Sequence, residues 1–372
     1  MPVTDELLQL LQCPVAKRPL RPTTDEELRT LNRAVDSGRA GDAGGVRVTE
    51  PLAAGLATEG EGWFYPVRDG APVLVPERRI TIHDRPLPED ATPAPPPPNS
   101  DEAVWEYLAT VWHTRRPPAR PSRQDTALLE RLAADALADR AAPRALMLGV
   151  TPEIATMRWP AGTRLVAIDA SAAMIRTVWP AAAAPGAAVI RGDWAGMPIR
   201  DGVFDIVVGD ASLGFQPYPD VFFGIAGEVR RVLRDDGFLA TRVFTRPETR
   251  ESIDAILADL RAGKIGSLHF LWWRMYAALH GDRAHGVTSR ELWEAWTARV
   301  SDTAGLFRSL GWPPETVQAV EGLRSPVRTV ILPTVREYRD DLAGSFEQIA
   351  CEFPEFEDGD RYPTVGFRVR PR

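Results

Sequence analysis

Cysteine is nearly missing from this chain of 372 residues: only Cys13 and Cys351 occur, at opposite ends. Two such residues build neither a disulfide framework nor a four-thiolate metal site, so no metal is expected and a reducing cytoplasm is the expected compartment. Lysine is as scarce, with Lys17 and Lys264 alone among 44 basic residues. Beside so much alanine and proline, this reads as GC-rich codon usage, and plentiful arginine is not by itself a binding signal. No apolar run approaches the roughly 20 residues of a membrane helix. The opening MPVTDELLQLLQ has no basic region ahead of an apolar one, which argues against export. A formal net charge of -7 makes a phosphate backbone an unfavourable principal partner. What remains is an ordinary soluble composition, 44% apolar and 26% charged, with length for about two or three domains.

The clearest seam is a proline-rich stretch, HDRPLPEDATPAPPPPNSDE, which reads as a semi-rigid linker over residues 83–101. It separates a small unit, residues 1–82, from a larger one. The larger unit opens with a helical pattern over Glu102 to Trp112, and Ser122 with Asp125 resembles a capping box opening a second helix. From Arg144 short apolar runs alternate with helical segments, the signature of a parallel sheet with crossover helices. Strands are expected at Arg144–Gly149, Arg164–Asp169, Ala187–Arg191, Phe204–Gly209 and Phe238–Phe244, with a helix over Asp220–Arg234. Residues 246–332 break the rhythm with helix formers and five tryptophans. A helix near Thr334–Leu342 and two strands, Phe346–Phe353 and Thr364–Val369, then suggest a closing antiparallel hairpin.

Gly149-Val-Thr151-Pro152-Glu153 falls where the first strand turns into a helix. Thr151 suits the N-cap, Pro152 the first helical position, and Glu153 the positive end of the helix dipole. Asp169 ends the second strand, where an acidic side chain accepts hydrogen bonds from ribose hydroxyls, with Ala170 beside it. A turn for a dinucleotide usually carries GxGxxG, because a pyrophosphate needs close backbone approach. Here one glycine is followed by Thr and Pro. A ligand with a ribose and no pyrophosphate fits better, and S-adenosylmethionine is such a ligand.

Over residues 144–244 the chain resembles a class I S-adenosylmethionine-dependent methyltransferase. Met197-Pro-Ile-Arg-Asp-Gly-Val-Phe-Asp205-Ile-Val-Val is similar to that family's loop into its fourth strand. Glu228-Val-Arg-Arg-Val-Leu-Arg-Asp-Asp-Gly237 is similar to the run before its fifth. The first loop departs from the family's glycine-rich turn. The resemblance implies a Rossmann-like α/β sheet of seven strands, mostly parallel with a C-terminal antiparallel hairpin. It also implies a ribose contact for Asp169, adenine contacts for Asp193 and Trp194, and a place near the methionine end or the reacting centre for Asp210. Turn formation at Asp169 and Asp193, core packing for Trp194 and a capping role for Asp210 are the alternative readings.

Leu7 to Leu20, containing Cys13-Pro-Val-Ala16, together with Tyr65 to Val75, resembles the zinc-ribbon-like activators of methyltransferases over nearly all of residues 1–82. Ala16 stands where metal-binding members have cysteine, so this α+β unit is expected to fold without metal. An intramolecular activator and a retained stability module are both open. Residues 246–332 are expected to form a helical lid above the ligand edge, interrupting a methyltransferase domain made of residues 102–245 and 333–372. His269, Trp272, Trp273, Arg274 and Tyr276 would line a chamber there, or simply form core. His113 and His269 are the candidate bases, with Asp210 beside them, against a structural role for each.

The combined expectation is a cytoplasmic transferase moving a methyl group from S-adenosylmethionine to a small molecule under the lid. Nucleic acid and membrane are not expected partners, and the chain would be a monomer or homodimer. Methylation of a macromolecule (tRNA, rRNA or protein) and a catalytically silent methyltransferase-like scaffold are the alternatives.

Overall fold

The computed structural model describes residues 3–88, 101–180, 183–324 and 329–371. Most of the expected linker, including Pro96 to Pro98, lies outside the described residues. The first unit contains α1 (Asp5–Leu10), β1 (Leu20–Pro22), α2 (Asp25–Asp36), β2 (Ala40–Asp42), β3 (Gly55–Thr58), β4 (Phe64–Arg68), β5 (Ala71–Pro72) and β6 (Ile80–Ile82). Its strands pair in the order β1-β3-β4-β6-β2, with β5 on β4. Thr24 and Glu27 form a reciprocal capping box that starts α2.

The larger part contains α3 (Asp101–Val111), α4 (Arg123–Leu137), β7 (Arg144–Leu148), α5 (Pro152–Ala155), β8 (Arg164–Asp169), α6 (Ala172–Val178), β9 (Ala188–Arg191), β10 (Phe204–Asp210), α7 (Asp220–Val232) and β11 (Leu233–Arg242). After a helical segment come α13 (Val335–Leu342), β14 (Phe346–Glu352) and β15 (Thr364–Val369). Seven strands form one sheet in the order β14-β15-β11-β10-β7-β8-β9. The pairs from β9 through β11 are parallel, whereas β15 runs antiparallel to both β11 and β14. Near-continuous apolar runs such as Leu146-Met-Leu and Ile206-Val-Val suit strands covered on both faces. Leu129, Leu132 and Ala133 of α4 and Met174 of α6 cover one face; Phe222 and Val229 of α7 and Tyr338 of α13 cover the other. Ser122 and Asp125 exchange both bonds of a capping box at the start of α4.

The α7–β11 junction differs from the sequence expectation. Helix α7 ends at Val232, and β11 begins at Leu233, five residues early, and ends at Arg242. Leu233 pairs with Phe204, and the Arg234 guanidinium donates to the buried Asp205 carboxylate (2.5 Å), so the chain extends as soon as it meets the sheet.

The first unit docks on the free edge at β9. Val73 bridges Arg191 in parallel, and the Leu74 amide donates to the Arg191 carbonyl (2.7 Å). Leu11 bridges Ile199, while the Gln12 amide donates to the Pro198 carbonyl (3.0 Å). One apolar core runs from Leu8, Leu11 and Leu74 to Ile168, Ile190 and Ile199.

Between β11 and α13 lie α8 (Ile253–Arg261), α9 (Leu268–Leu279), β12 (Val287–Thr288), α10 (Ser289–Thr297), α11 (Thr303–Ser309), α12 (Glu315–Gly322) and β13 (Thr329–Val330), with β12 and β13 paired antiparallel. They enclose a separate core around the fully buried Trp296, which donates to Thr303 Oγ1 (2.9 Å) and meets Trp272 edge-on at 5.5 Å. No helix among the described residues is long and apolar enough to cross a membrane.

Candidate functional site

The carboxyl ends of β7, β8, β9 and β10 bring most of the expected cofactor residues to one edge. Gly149 follows β7 with φ +96°, a conformation L side chains rarely adopt, and its amide donates to the Ile168 carbonyl (2.8 Å). Thr151 follows, buried; its carbonyl accepts from Ile154 and Ala155, but its hydroxyl makes no cap bond. The expected helix is a single four-residue turn, α5.

Asp169 ends β8 half-buried. Its Oδ1 accepts from the Ser171 amide (2.8 Å), and its Oδ2 lies 3.9 Å from where a Cβ would stand on Gly149. Burial pushes its carboxyl up to about 6; the Ser171 amide and the nearby Arg191 charge oppose the shift without cancelling it. Arg191 is also tied to the Ala170 carbonyl through Nε (2.9 Å). Ala170 itself is exposed.

After β9, Asp193 caps a short 3-10 turn, Trp194–Gly196, by accepting from the Ala195 amide (2.9 Å), and it is exposed. Trp194 folds inward. Its Nε1 donates to the Ile168 carbonyl (2.8 Å), and its Cζ2 lies 3.8 Å from the Cβ position of Gly149. Gly149, Asp169 and Trp194 therefore meet in one place, with the indole over the glycine.

Asp210 ends β10 and accepts from Arg242 Nε at 2.7 Å. Arg242 is fully buried; its Nη1 donates to the Pro118 carbonyl (2.9 Å) and lies 3.7 Å from the buried Asp125 carboxylate. Burial alone would weaken the guanidinium's charge, but the two carboxylates outweigh it and hold Arg242 protonated. Asp210 is thus half of a buried ion pair. The Gly209–Ser212 turn behind it is tight: a Cβ on Gly209 would meet Ser212 Oγ at 2.1 Å, and Ala211 has φ +56°.

The chain between α3 and α4 crosses this edge. Arg120 pairs with Glu153 in the first loop (Nε–Oε1 2.7 Å) and stacks over Trp112 at 5.6 Å. His113 is exposed, with its carbonyl accepting from Arg116. His269, from α9, is half-buried. Burial, reinforced by the Arg115 charge nearby, pushes its imidazole down to about 4, so it is neutral at physiological pH. One turn on, Trp273 packs on Phe244 (4.6 Å) and Phe215 (5.3 Å), residues just beyond β11 and β10, and on Tyr276 at 5.7 Å. Arg274 turns away, held by Glu251 and Asp259. Among the described residues no group of three or more His, Cys, Asp or Glu side chains could hold a metal ion.

Sequence reasoning missed Arg242, Asp125 and Arg120. Arg242 had a signal, being a charge inside the apolar run Phe238-Leu-Ala-Thr-Arg-Val-Phe. Asp125 had already been accounted for as a cap. Arg120 had none.

This geometry agrees with a comparison by sequence: residues 146–241 match a family model described as a methyltransferase domain. Residues 146–241 thus form a methyltransferase domain, the part of the chain that makes it an enzyme. The match spans β7 to β11 and leaves both the first unit and the helical segment outside it. Compared with curated protein sequences, the chain finds no match. Among solved structures, one similar chain comes from the complex between the Haloferax volcanii Trm112 methyltransferase activator and a methyltransferase: 12% identity, 72% of this chain, 98% of that one, TM-score 0.39. Another is N-methyltransferase NodS of Bradyrhizobium japonicum with S-adenosyl-L-homocysteine, at 11% identity, 73% and 98% coverage and TM-score 0.40. A third is 1,6-didemethyltoxoflavin-N1-methyltransferase of Burkholderia thailandensis, at 12% identity, 76% and 95% coverage and TM-score 0.38.

Proposed function

We propose that the protein methylates a small molecule held between the carboxyl edge of the sheet and the helices α8–α12. The observation that carries this reading is Trp273 of α9 seated on Phe244 and Phe215, which brings the helical segment down over the ends of β10 and β11. Asp169 receives the ribose hydroxyls, since its Oδ2 points toward Gly149 rather than into the backbone bond made by Oδ1. Asp193 meets the adenine amine from the exposed turn after β9. S-adenosylmethionine, when bound, supplies a methyl carbon on a sulfonium, and its transfer is an in-line displacement.

The chain's own work is then alignment and exclusion of water. Phe215, Phe244 and Trp273 give an apolar wall. His269, neutral above about pH 4, can accept a proton from an acceptor that must lose one. Asp210 is not a free base, because Arg242 holds it; it fixes the floor of the site. His113, exposed after α3, is given no part in this reading. Residues 1–82 act as a built-in counterpart of an activator, stiffening the β9 edge through Leu11, Gln12 and Leu74. An acidic balance weighs against RNA.

The test is methyl transfer from labelled S-adenosylmethionine into three fractions of cell extract: small molecules, RNA and protein. Label in the small-molecule fraction is the expected result; label in RNA or protein alone would overturn the acceptor class while leaving the enzyme class standing.

A further inference from the structure

Arg191 ends β9 in register with Asp169 at the end of β8. Paired positions on adjacent parallel strands send their side chains to the same face of a sheet. The guanidinium donates through Nε to the Ala170 carbonyl (2.9 Å), while Asp169 Oδ1 accepts from the Ser171 amide (2.8 Å) and Oδ2 faces Gly149. Arg191 therefore grips the turn that carries Asp169 without taking the oxygen that faces the site. Its own backbone is fixed from the other side. Val73 bridges it, the Leu74 amide donates to its carbonyl (2.7 Å), and the next amide, of Gly192, donates to the Asp169 carbonyl (3.0 Å). The Arg191 side chain is only 19% exposed, a setting in which a charge reaches further than it does in water. Its ion-pair partner, Glu102 of α3, is half-exposed and 3.9 Å away, and so long a pair near the surface is weak.

We propose that Arg191 is a positioning residue for the cofactor: its guanidinium ties down the turn after β8 and lays a positive charge beside the Asp169 carboxylate that receives the ribose hydroxyls. This rests on the reading of Asp169 as the ribose acceptor. Ribose hydroxyls donate to a carboxylate, whereas a protonated carboxyl has lost acceptor capacity and brings a donor of its own. Burial pushes the Asp169 carboxyl up to about 6, against the Ser171 amide and the Arg191 charge. Of the other neighbours, Gly149 after β7 and Trp194 after β9 carry no charge. Beyond Arg191 stand Glu102 and, from the first unit, Arg78, which act on the guanidinium with opposite signs. Lysine would keep the charge but has no donor at the place of Nε. The charge and the bond to Ala170 are therefore separable by substitution. Through Leu74, the same residue is where the first unit meets the ribose side of the site.

The experiment compares full-length wild type, Arg191→Gln and Arg191→Lys, with circular dichroism to verify folding. Carbon NMR of aspartate-labelled protein follows the Asp169 carboxyl, its signal assigned with Asp169→Asn, and calorimetry measures S-adenosylhomocysteine affinity from about pH 5 to 8. In Arg191→Gln the carboxyl midpoint should rise by about one unit, whereas Arg191→Lys should keep the wild-type midpoint. The lost bond to Ala170 should weaken binding by Arg191→Lys by the same factor at every pH. Arg191→Gln should bind about fivefold more weakly than Arg191→Lys at pH 6, with the gap closing by pH 8, because the ionised fraction at pH 6 falls from about one half to about one tenth. A midpoint unmoved in Arg191→Gln overturns the proposal, and so does equal binding by Arg191→Gln and Arg191→Lys across the pH range. Binding by Arg191→Lys equal to that of wild type overturns the part assigned to the Ala170 bond. If Arg191→Gln misfolds, Arg191→Met, which keeps the apolar stem, takes its place with the same expectations. Wild type that binds no S-adenosylhomocysteine while the midpoint still moves in Arg191→Gln overturns the ribose reading of Asp169, and the proposal with it; wild type that binds while the midpoint stays overturns the proposal alone.

Discussion

Arg242 lies at the centre of the site's framework, and replacing it with methionine tests how that framework is held. Methionine keeps the length and apolar bulk of the side chain, so little volume is lost. What goes is the bond to Asp210 (2.7 Å), the bond to the Pro118 carbonyl (2.9 Å) and the compensation of Asp125 at 3.7 Å. Both carboxylates are almost wholly buried and would face each other without a cation. Breaking a buried pair by removing one partner costs about 3–5 kcal/mol, because an uncompensated charge stays behind. Urea unfolding followed by near-ultraviolet circular dichroism should show that loss. Adding Asp210→Asn removes one stranded charge and should recover at least about 1 kcal/mol, even allowing for an imperfectly paired amide. A loss below about 1 kcal/mol for Arg242→Met would mean that water or rearrangement satisfies the carboxylates, and that Arg242 does not hold the floor of the site.

Other expectations are equally direct. Asp169→Asn should weaken S-adenosylhomocysteine binding by about tenfold or more, for lost charge-assisted hydrogen bonds of about 1.5–3 kcal/mol, with the melting temperature little changed; unchanged affinity by calorimetry would remove the ribose role. Because burial pushes the Asp169 carboxyl up to about 6, it is protonated below that pH and loses acceptor capacity, so wild-type affinity should rise as pH passes upward through about 6. A flat profile from pH 5 to 8, or one falling with pH, would contradict this. Leu11→Ala, at a fully buried position bridging Ile199, should cost about 2–5 kcal/mol in denaturant titration; a cost under about 1 kcal/mol would show that the first unit is only loosely seated. Metal analysis should find no stoichiometric zinc, since the Cys13 thiol already receives the Ala16 amide (3.3 Å) and contacts the Tyr65 hydroxyl (3.3 Å). One equivalent of zinc per chain would refute that.

Much of the sheet was legible because its strands are short apolar runs separated by turn residues, a signal carried by each segment alone. Thr364–Val369 and the start of Phe346–Glu352 fall where the alternation placed them. The capping boxes were legible for the same local reason. The start of β11 was not, because Leu233-Arg-Asp-Asp continues a helical pattern and is drawn into the sheet only by Phe204 and Asp205 on another strand. The composition of the site divides along the same line. Gly149 and Asp169 announce themselves at strand ends, and the structure places them side by side. The direction of the Trp194 ring is set by Ile168, 26 residues away, and the pairing of Asp210 by Arg242, 32 residues away. Neither partner is visible from the motif that contains the residue. Trp272 and Trp273 are neighbours that face opposite ways, one to Trp296 in the helical core and one to Phe244 at the sheet, which composition cannot separate.

The whole account depends on the edge at Gly149 and Asp169 taking an adenosyl group. Equilibrium dialysis of the folded full-length protein against labelled S-adenosylmethionine tests this most directly, run beside Asp169→Asn. The account predicts saturation at one equivalent per chain for the wild type and clearly weaker uptake by the variant. No saturable uptake by the wild type, or the same uptake by both, would contradict it.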